Sequence, residues 1–332
     1  MGSFLRSKCM QNKQMNLDFI RFLMAFLVIA IHTSPFIGIN EDFDFFFTRI
    51  FSRIAVPMFL MISGYYLLNQ NKARLKAYTW KIIKVYIFCM ILYLPLNIYM
   101  GELQELHLID LMKAIAFNGT LYHLWYFPAL IIGLWITYVL LMKLGMKKIL
   151  VISIVLYIIG LLGDSYYGLI EGVFPLNEIF DSLFQIFDYT RNGFFFVPIF
   201  LCLGQLIRRK RIIKSSCIIG TFITFSAMCL EGMLLHHFQL QRHDSMYMFL
   251  PVLMYYLFSY LVSIDKTSNK RLRRISGSIY IFHPWFIVIL RFVSKLFKVE
   301  GLLVENHLCF YFLVSLITMG FAIGLDVLKE KC

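Results

Sequence analysis

The sequence predicts an all-α, polytopic membrane protein of about ten transmembrane helices with both termini in the cytoplasm. Three observations predict it. Of the 332 residues, 60% are hydrophobic and only 15% are charged, against about 25% charged in ordinary soluble domains. Mean hydropathy is +0.73, and apolar runs of about 20 residues, each matching a hydrocarbon core of roughly 30 Å, recur from end to end. The charges alternate between the connections, with basic residues on one side and acidic residues on the other.

The first run, 17–37, opens Leu17-Asp18-Phe19-Ile20-Arg21. Two charges inside it and no small-residue cleavage site after it argue for a retained span rather than a signal peptide. The second, 46–68, carries Pro57, which permits a kink, and Ser63-Gly64, which permits close helix packing. The third, 79–100, follows Lys72, Arg74 and Lys76 and carries Lys81 and Lys84 at its start. The fourth, 121–142, opens with the aromatic cluster Tyr122-His123-Leu124-Trp125-Tyr126-Phe127, as an interfacial belt does. Lys143, Lys147 and Lys148 separate it from the fifth, 148–163. An apolar outer connection, 164–192, precedes the sixth, 193–207; long loops of this kind are often functional. The runs 212–234, 246–264, 275–297 and 308–328 complete the set, leaving 1–16 as a cytoplasmic segment and 329–332 as a cytoplasmic tail. The whole of 1–332 reads as a single membrane domain with no attached soluble module.

With the N-terminus inside, 23 of the 32 Lys and Arg fall in cytoplasmic segments and 14 of the 19 Asp and Glu fall outside. This is the positive-inside pattern. The net charge of +13 is therefore a topology signal, and no nucleic acid partner is needed to explain it. The seven Cys include no CxxC or CxxH spacing and read as small buried hydrophobes. There is no GxSxG, Walker, HExxH or GxGxxG motif, so the corresponding hydrolase, ATPase, metalloprotease and dinucleotide readings get no support.

Ionisable groups inside spans cost roughly 2.5–3.5 kcal/mol each on insertion scales, which makes them the best pointers to function. Asp18, Arg21 and His32 form one stripe on the first span, because eleven residues at about 100° each bring His32 within about 20° of Arg21. Arg21 near the inner surface can hold a phosphate, and His32, about 16 Å further along, can take a proton from a hydroxyl. The competing structural account is an Asp18–Arg21 ion pair with His32 at a helix contact. Ser63 and Tyr65 in the second span, His123, Trp125 and Tyr126 in the fourth, Arg191 in the outer connection, Glu231 in the seventh, and Tyr280 with His283 in the ninth are pocket or acceptor-binding candidates.

Together these segments resemble the acyltransferase-3 family of integral membrane acyltransferases. The resemblance rests on Leu17 through Arg21 with His32, Val56-Pro57 leading to Tyr65, Tyr122 through Phe127, and Tyr280 with Phe282-His283-Pro284. A closer likeness is to the membrane half of VanT-type serine racemases of vancomycin resistance. It is carried by Tyr122 through Leu130, Gly163-Asp164-Ser165, Thr190-Arg191-Asn192-Gly193 and His243 through Tyr247. The family implies a cytoplasmic acyl-CoA donor, usually acetyl-CoA, and a hydroxyl acceptor of the envelope. It also implies catalytic roles for His32 and Arg21. Where many members have Arg-x-x-Arg, this chain has Lys81-x-x-Lys84, which attracts phosphate without bidentate geometry. The VanT likeness implies a pyridoxal-phosphate racemase domain after the last span. The sequence stops at Cys332, so racemase activity is not expected of this polypeptide and the racemase, or an envelope-biosynthesis partner, would be separate or removed.

Two functions of different classes follow. One is a multi-pass cell-membrane O-acyltransferase in which Arg21, Lys81 and Lys84 hold acyl-CoA and His32 is the base, with no metal or bound cofactor required. The other is a membrane unit that binds or admits L-serine for a racemase, using Asp18, Arg21, His32 and Glu231. An inert anchor ranks last, because it has no reason to bury so many ionisable groups.

Overall fold

A computed structural model describes residues 17–101, 107–209, 213–263 and 269–331, which fold into helices with no strand among them. The expected cytoplasmic segment 1–16 and the charges of Glu102, Glu105, Lys210, Arg211 and Lys266 lie outside the described residues. The helices are α1 Leu17–Thr33, α2 Glu41–Leu67, α3 Lys72–Tyr99, α4 Leu108–Lys113, α5 Tyr126–Leu162, α6 Leu176–Phe184, α7 Val197–Arg209, α8 Lys214–His237, α9 Leu250–Ser263, α10 Lys270–Leu296, α11 Glu300–Leu303 and α12 His307–Lys331.

Local chemistry explains where these helices begin. Asn40, Asn71 and Asn269 precede α2, α3 and α10, and each side-chain oxygen accepts a backbone N–H of the first turn; this satisfies donors that would otherwise be orphaned. Pro128, Pro198 and Pro251 sit in the first turns of α5, α7 and α9, where the missing N–H removes no helical bond.

Every apolar run expected from the sequence is occupied by helix. Among the described residues six helices, α2, α3, α5, α8, α10 and α12, are long and apolar enough to cross a membrane, against the ten expected. The described parts of α1, α7 and α9 comprise 17, 13 and 14 residues, each bounded on one side by residues outside those described. One helix, α5, covers two expected runs in 37 residues, interrupted at Gly145 with φ 79° and ψ 170°. That left-handed backbone favours glycine, and it falls in the Lys143–Lys148 connection predicted to separate two spans.

Two compact units are distinguished. The first contains the described residues up to Phe59, Lys214–Ile219 and those from Tyr256 onward; the second contains Leu60–Ile213 and Gly220–Tyr255. In the first, α1, α10 and α12 pack on one another around Ala25, Ile29, Ile279, Phe310 and Val314, all at most 1% exposed. In the second, α5 packs along α7, and the end of α2 crosses α7 at two glycines. A Cβ at Gly64 would strike the Leu201 backbone, and one at Gly204 would strike the Met61 carbonyl. This reciprocal contact is the use of Ser63-Gly64 that close helix packing predicts.

Gly204→Leu should therefore lower the thermal unfolding midpoint in detergent, by the equivalent of about 1–3 kcal/mol or more for an overpacked contact. Gly320→Leu, at a position where an added Cβ meets nothing within 4 Å, should leave the midpoint in place.

Candidate functional site

Asp18 is 3% exposed at the start of α1. Its carboxylate accepts from Arg21 Nη1 at 3.3 Å, from Arg273 Nε at 2.8 Å and Nη2 at 3.1 Å, and from the Asn269 backbone N–H at 3.1 Å. The fork of Arg273 gives two charge-assisted bonds in fixed geometry. A second carboxylate, Asp326 of α12, is also 3% exposed; it takes Arg271 Nε at 3.1 Å and Arg274 Nε at 2.5 Å, while Arg274 Nη2 reaches Glu330 at 2.6 Å. The first turn of α10 is thus bound to the start of α1 and the end of α12.

Further along the same two helices, His32 and His283 stack with ring centroids 5.5 Å apart and planes 18° from parallel. Asp18 meets Arg273 and His32 meets His283, so α1 and α10 run parallel. The fourteen residues from Asp18 to His32 rise about 21 Å and the ten from Arg273 to His283 about 15 Å; the long Arg273 side chain takes up the difference. His283 is fully buried, and its Nδ1 lies 3.0 Å from the Tyr280 carbonyl and 3.2 Å from that of Ile279. Carbonyl oxygens only accept, so Nδ1 carries the hydrogen and Nε2 is the basic nitrogen. Pro284, next in α10, lacks the N–H that would otherwise bond the Tyr280 carbonyl.

The structure therefore places the candidates of the first unit in two clusters along the same pair of helices, Asp18 with Arg21 at one end and His32 with His283 and Tyr280 further along. The competing account of Asp18 and Arg21 as an ion pair is correct as far as it goes. Sequence reasoning missed Arg273 as their partner, because it had been counted only as a topology charge. The available signal was the concentration of arginines at 271, 273 and 274 one helix turn after Asn269.

The remaining candidates belong to the second unit. Lys81 and Lys84 are exposed on α3, with Lys84 Nζ 6.0 Å from the Trp80 ring. His123 is 1% exposed between the edges of Tyr93 and Tyr122. Arg191 lies 4.9 Å from the Trp125 ring and 4.7 Å from that of Tyr189, a cation–π sandwich. Tyr126 packs edge-on to Phe127. Ser63 is buried, and the Tyr65 carbonyl accepts from Arg208 Nη1 at 2.8 Å. Glu231 accepts from Tyr166 Oη at 2.7 Å and from the N–H groups of Met248 and Phe249 at 2.5 and 3.1 Å. These bonds fasten α8 to the start of α9, which accounts for its burial structurally. Burial and the bond to Glu231 push the Tyr166 hydroxyl well above the ordinary phenol range, so it remains a donor.

One cluster has the composition of a nucleophile with its base. Ser245 Oγ is 2.7 Å from His243 Nδ1, which is 3.5 Å from Asp164 Oδ2. A serine triad needs the two ring nitrogens to face opposite partners, and here one nitrogen faces both. Asp164 also accepts from Ser165 Oγ and from the N–H groups of Ser245 and Met246. The cluster closes the 164–165 and 243–246 turns onto each other.

Known proteins resemble the chain over nearly its whole length. An acyltransferase-domain family model matches residues 15–327. Relatives include two proteins named amino-acid racemase from Enterococcus faecalis, 38% and 37% identical over 95% and 97% of this chain but only 45% and 47% of theirs. A serine/alanine racemase from Enterococcus gallinarum is 36% identical over 94% of this chain and 45% of its own length. The chain thus spans about half the length of the curated relatives it matches. No solved structure matches it.

Asp18→Asn keeps the side-chain size but removes the charge shared by two guanidiniums. It should cost about 1–3 kcal/mol of stability, read as a lower unfolding midpoint in detergent, whereas Lys84→Ala at an exposed position should not.

Proposed function

The chain belongs to the acyltransferase-3 family, and from that premise we propose that it is a multi-pass membrane O-acyltransferase that moves an acyl group, in the first instance acetyl, from cytoplasmic acyl-CoA to a hydroxyl acceptor. The observation that carries the reading is the His32–His283 pair at the opposite end of α1 from Arg21. His32 is the general base: it takes the acceptor's proton as the oxygen attacks the thioester carbonyl, the C–S bond breaks, and the proton passes to the leaving thiolate. His283, with its tautomer held by the Ile279 and Tyr280 carbonyls, keeps a second basic ring against His32. Arg21 attracts the donor's phosphates, with Lys81 and Lys84 retained as further phosphate-attracting groups on sequence grounds.

A second reading, a membrane unit that binds or admits L-serine and serves a racemase in vancomycin resistance, is favoured by the names of the Enterococcus relatives. Serine uptake into vesicles with and without the protein separates it from acyl transfer.

Membranes containing the protein should transfer radiolabel from acetyl-CoA to an acceptor. His32→Ala should reduce this at least about 100-fold, the usual contribution of a general base, and His283→Gln should reduce it less. Unchanged labelling by His32→Ala removes the assignment.

A further inference from the structure

One cavity of the second unit has a volume of about 520 Å³ and lies between the C-terminal half of α3, α4 and the 114–120 connection. That volume is within the range of about 300–1,000 Å³ typical of small-molecule sites. It is unrelated to the His32 pair, and the reading of that pair does not bear on it.

Its polar lining is unbalanced. Asn97, on α3, is 3% exposed; its Nδ2 donates to the Thr120 carbonyl at 2.8 Å, but its Oδ1 has no hydrogen-bond partner among the described residues. Thr120 Oγ1 is in the same condition. A buried acceptor left without a donor costs about 1–3 kcal/mol, so a native protein keeps one where something supplies the donor. Two carboxylates, Asp110 and Asp188, border the same cavity, against a single cation, Lys113, whose Nζ is 3.7 Å from Asp110. Acceptors exceed donors, and the lining carries one net negative charge. Ile91 and Leu94 form an apolar wall, which lowers the local dielectric and strengthens any charge pairing inside.

These features select the ligand's chemistry. An anion meets two carboxylates. A neutral polyol supplies donors but leaves the charge unbalanced, and a quaternary ammonium supplies charge but no N–H for Asn97. A primary ammonium supplies both. We propose that this cavity binds a small molecule by its primary ammonium group, held between the Asp188 carboxylate and the Asn97 and Thr120 oxygens. Burial raises the Asp188 carboxyl from its ordinary range, opposed by Lys113 and Arg242, and an incoming cation would favour its ionised form.

Glucosamine and glucose differ by one ammonium in place of one hydroxyl, so calorimetric titration of both into the full chain in neutral detergent tests the proposal. Glucosamine should bind at least about tenfold more tightly than glucose, the value of one charged hydrogen bond. Asp188→Asn should erase the difference, and Lys113→Met, which removes the competing cation, should tighten glucosamine several-fold. Should Asp188→Asn fail to fold, Lys113→Met decides. Competition by lysophosphatidylethanolamine identifies a lipid headgroup as the source of the ammonium, and its absence identifies a soluble amine. Equal binding of the two sugars, no binding of either up to about 10 mM, or variants that leave glucosamine affinity unchanged overturns the proposal.

Discussion

The carboxylate of Asp18 sets the register of two parallel helices, and the meeting of His32 with His283 depends on that register. Parallel neighbours cannot be joined by a short turn, and α1 and α10 are separated in sequence by more than 200 residues. Apolar packing of Ala25 and Ile29 on Ile279 is compatible with several axial offsets, because one aliphatic side chain replaces another at little cost. A bidentate guanidinium on a nearly buried carboxylate is not. Sliding α10 by one turn would carry Arg273 about 5.4 Å from Asp18 and strand a buried charge. The same slide would separate His32 from His283. The ion pair therefore determines which histidine meets which, although it is itself far from both rings.

The buried ionisable groups separate by what satisfies them. Glu231 and Asp164 are each surrounded by backbone N–H donors and a neighbouring hydroxyl. Such carboxylates hold loops in place, and their burial is explained without substrate. His283 is held differently: its Nδ1 faces the Ile279 and Tyr280 carbonyls, and its ring stacks on that of His32. The carbonyls define the ring's tautomer, and the stack fixes its plane against the neighbouring helix. The Ser245, His243 and Asp164 cluster shows why identity alone is a poor guide. It has all three residue types of a hydrolytic triad, yet the shared Nδ1 prevents relay of a proton from one partner to the other.

Much of the fold was legible because the hydrophobic runs, asparagine caps and glycine contacts are local. The expected break at 143–148 appears at Gly145, and Ser63-Gly64 serves a close contact as its composition suggests. Membrane crossing was less legible. In the runs 193–207 and 246–264 the helices α7 and α9 start only at Val197 and Leu250, with Pro198 and Pro251 in their first turns. In the site, the stripe from Asp18 to His32 could be read from helical periodicity. Its partners could not, since periodicity relates residues within one helix and Arg273 comes from another. Arg191 could be suspected from charge, but its aromatic cage of Trp125 and Tyr189 joins segments more than 60 residues apart.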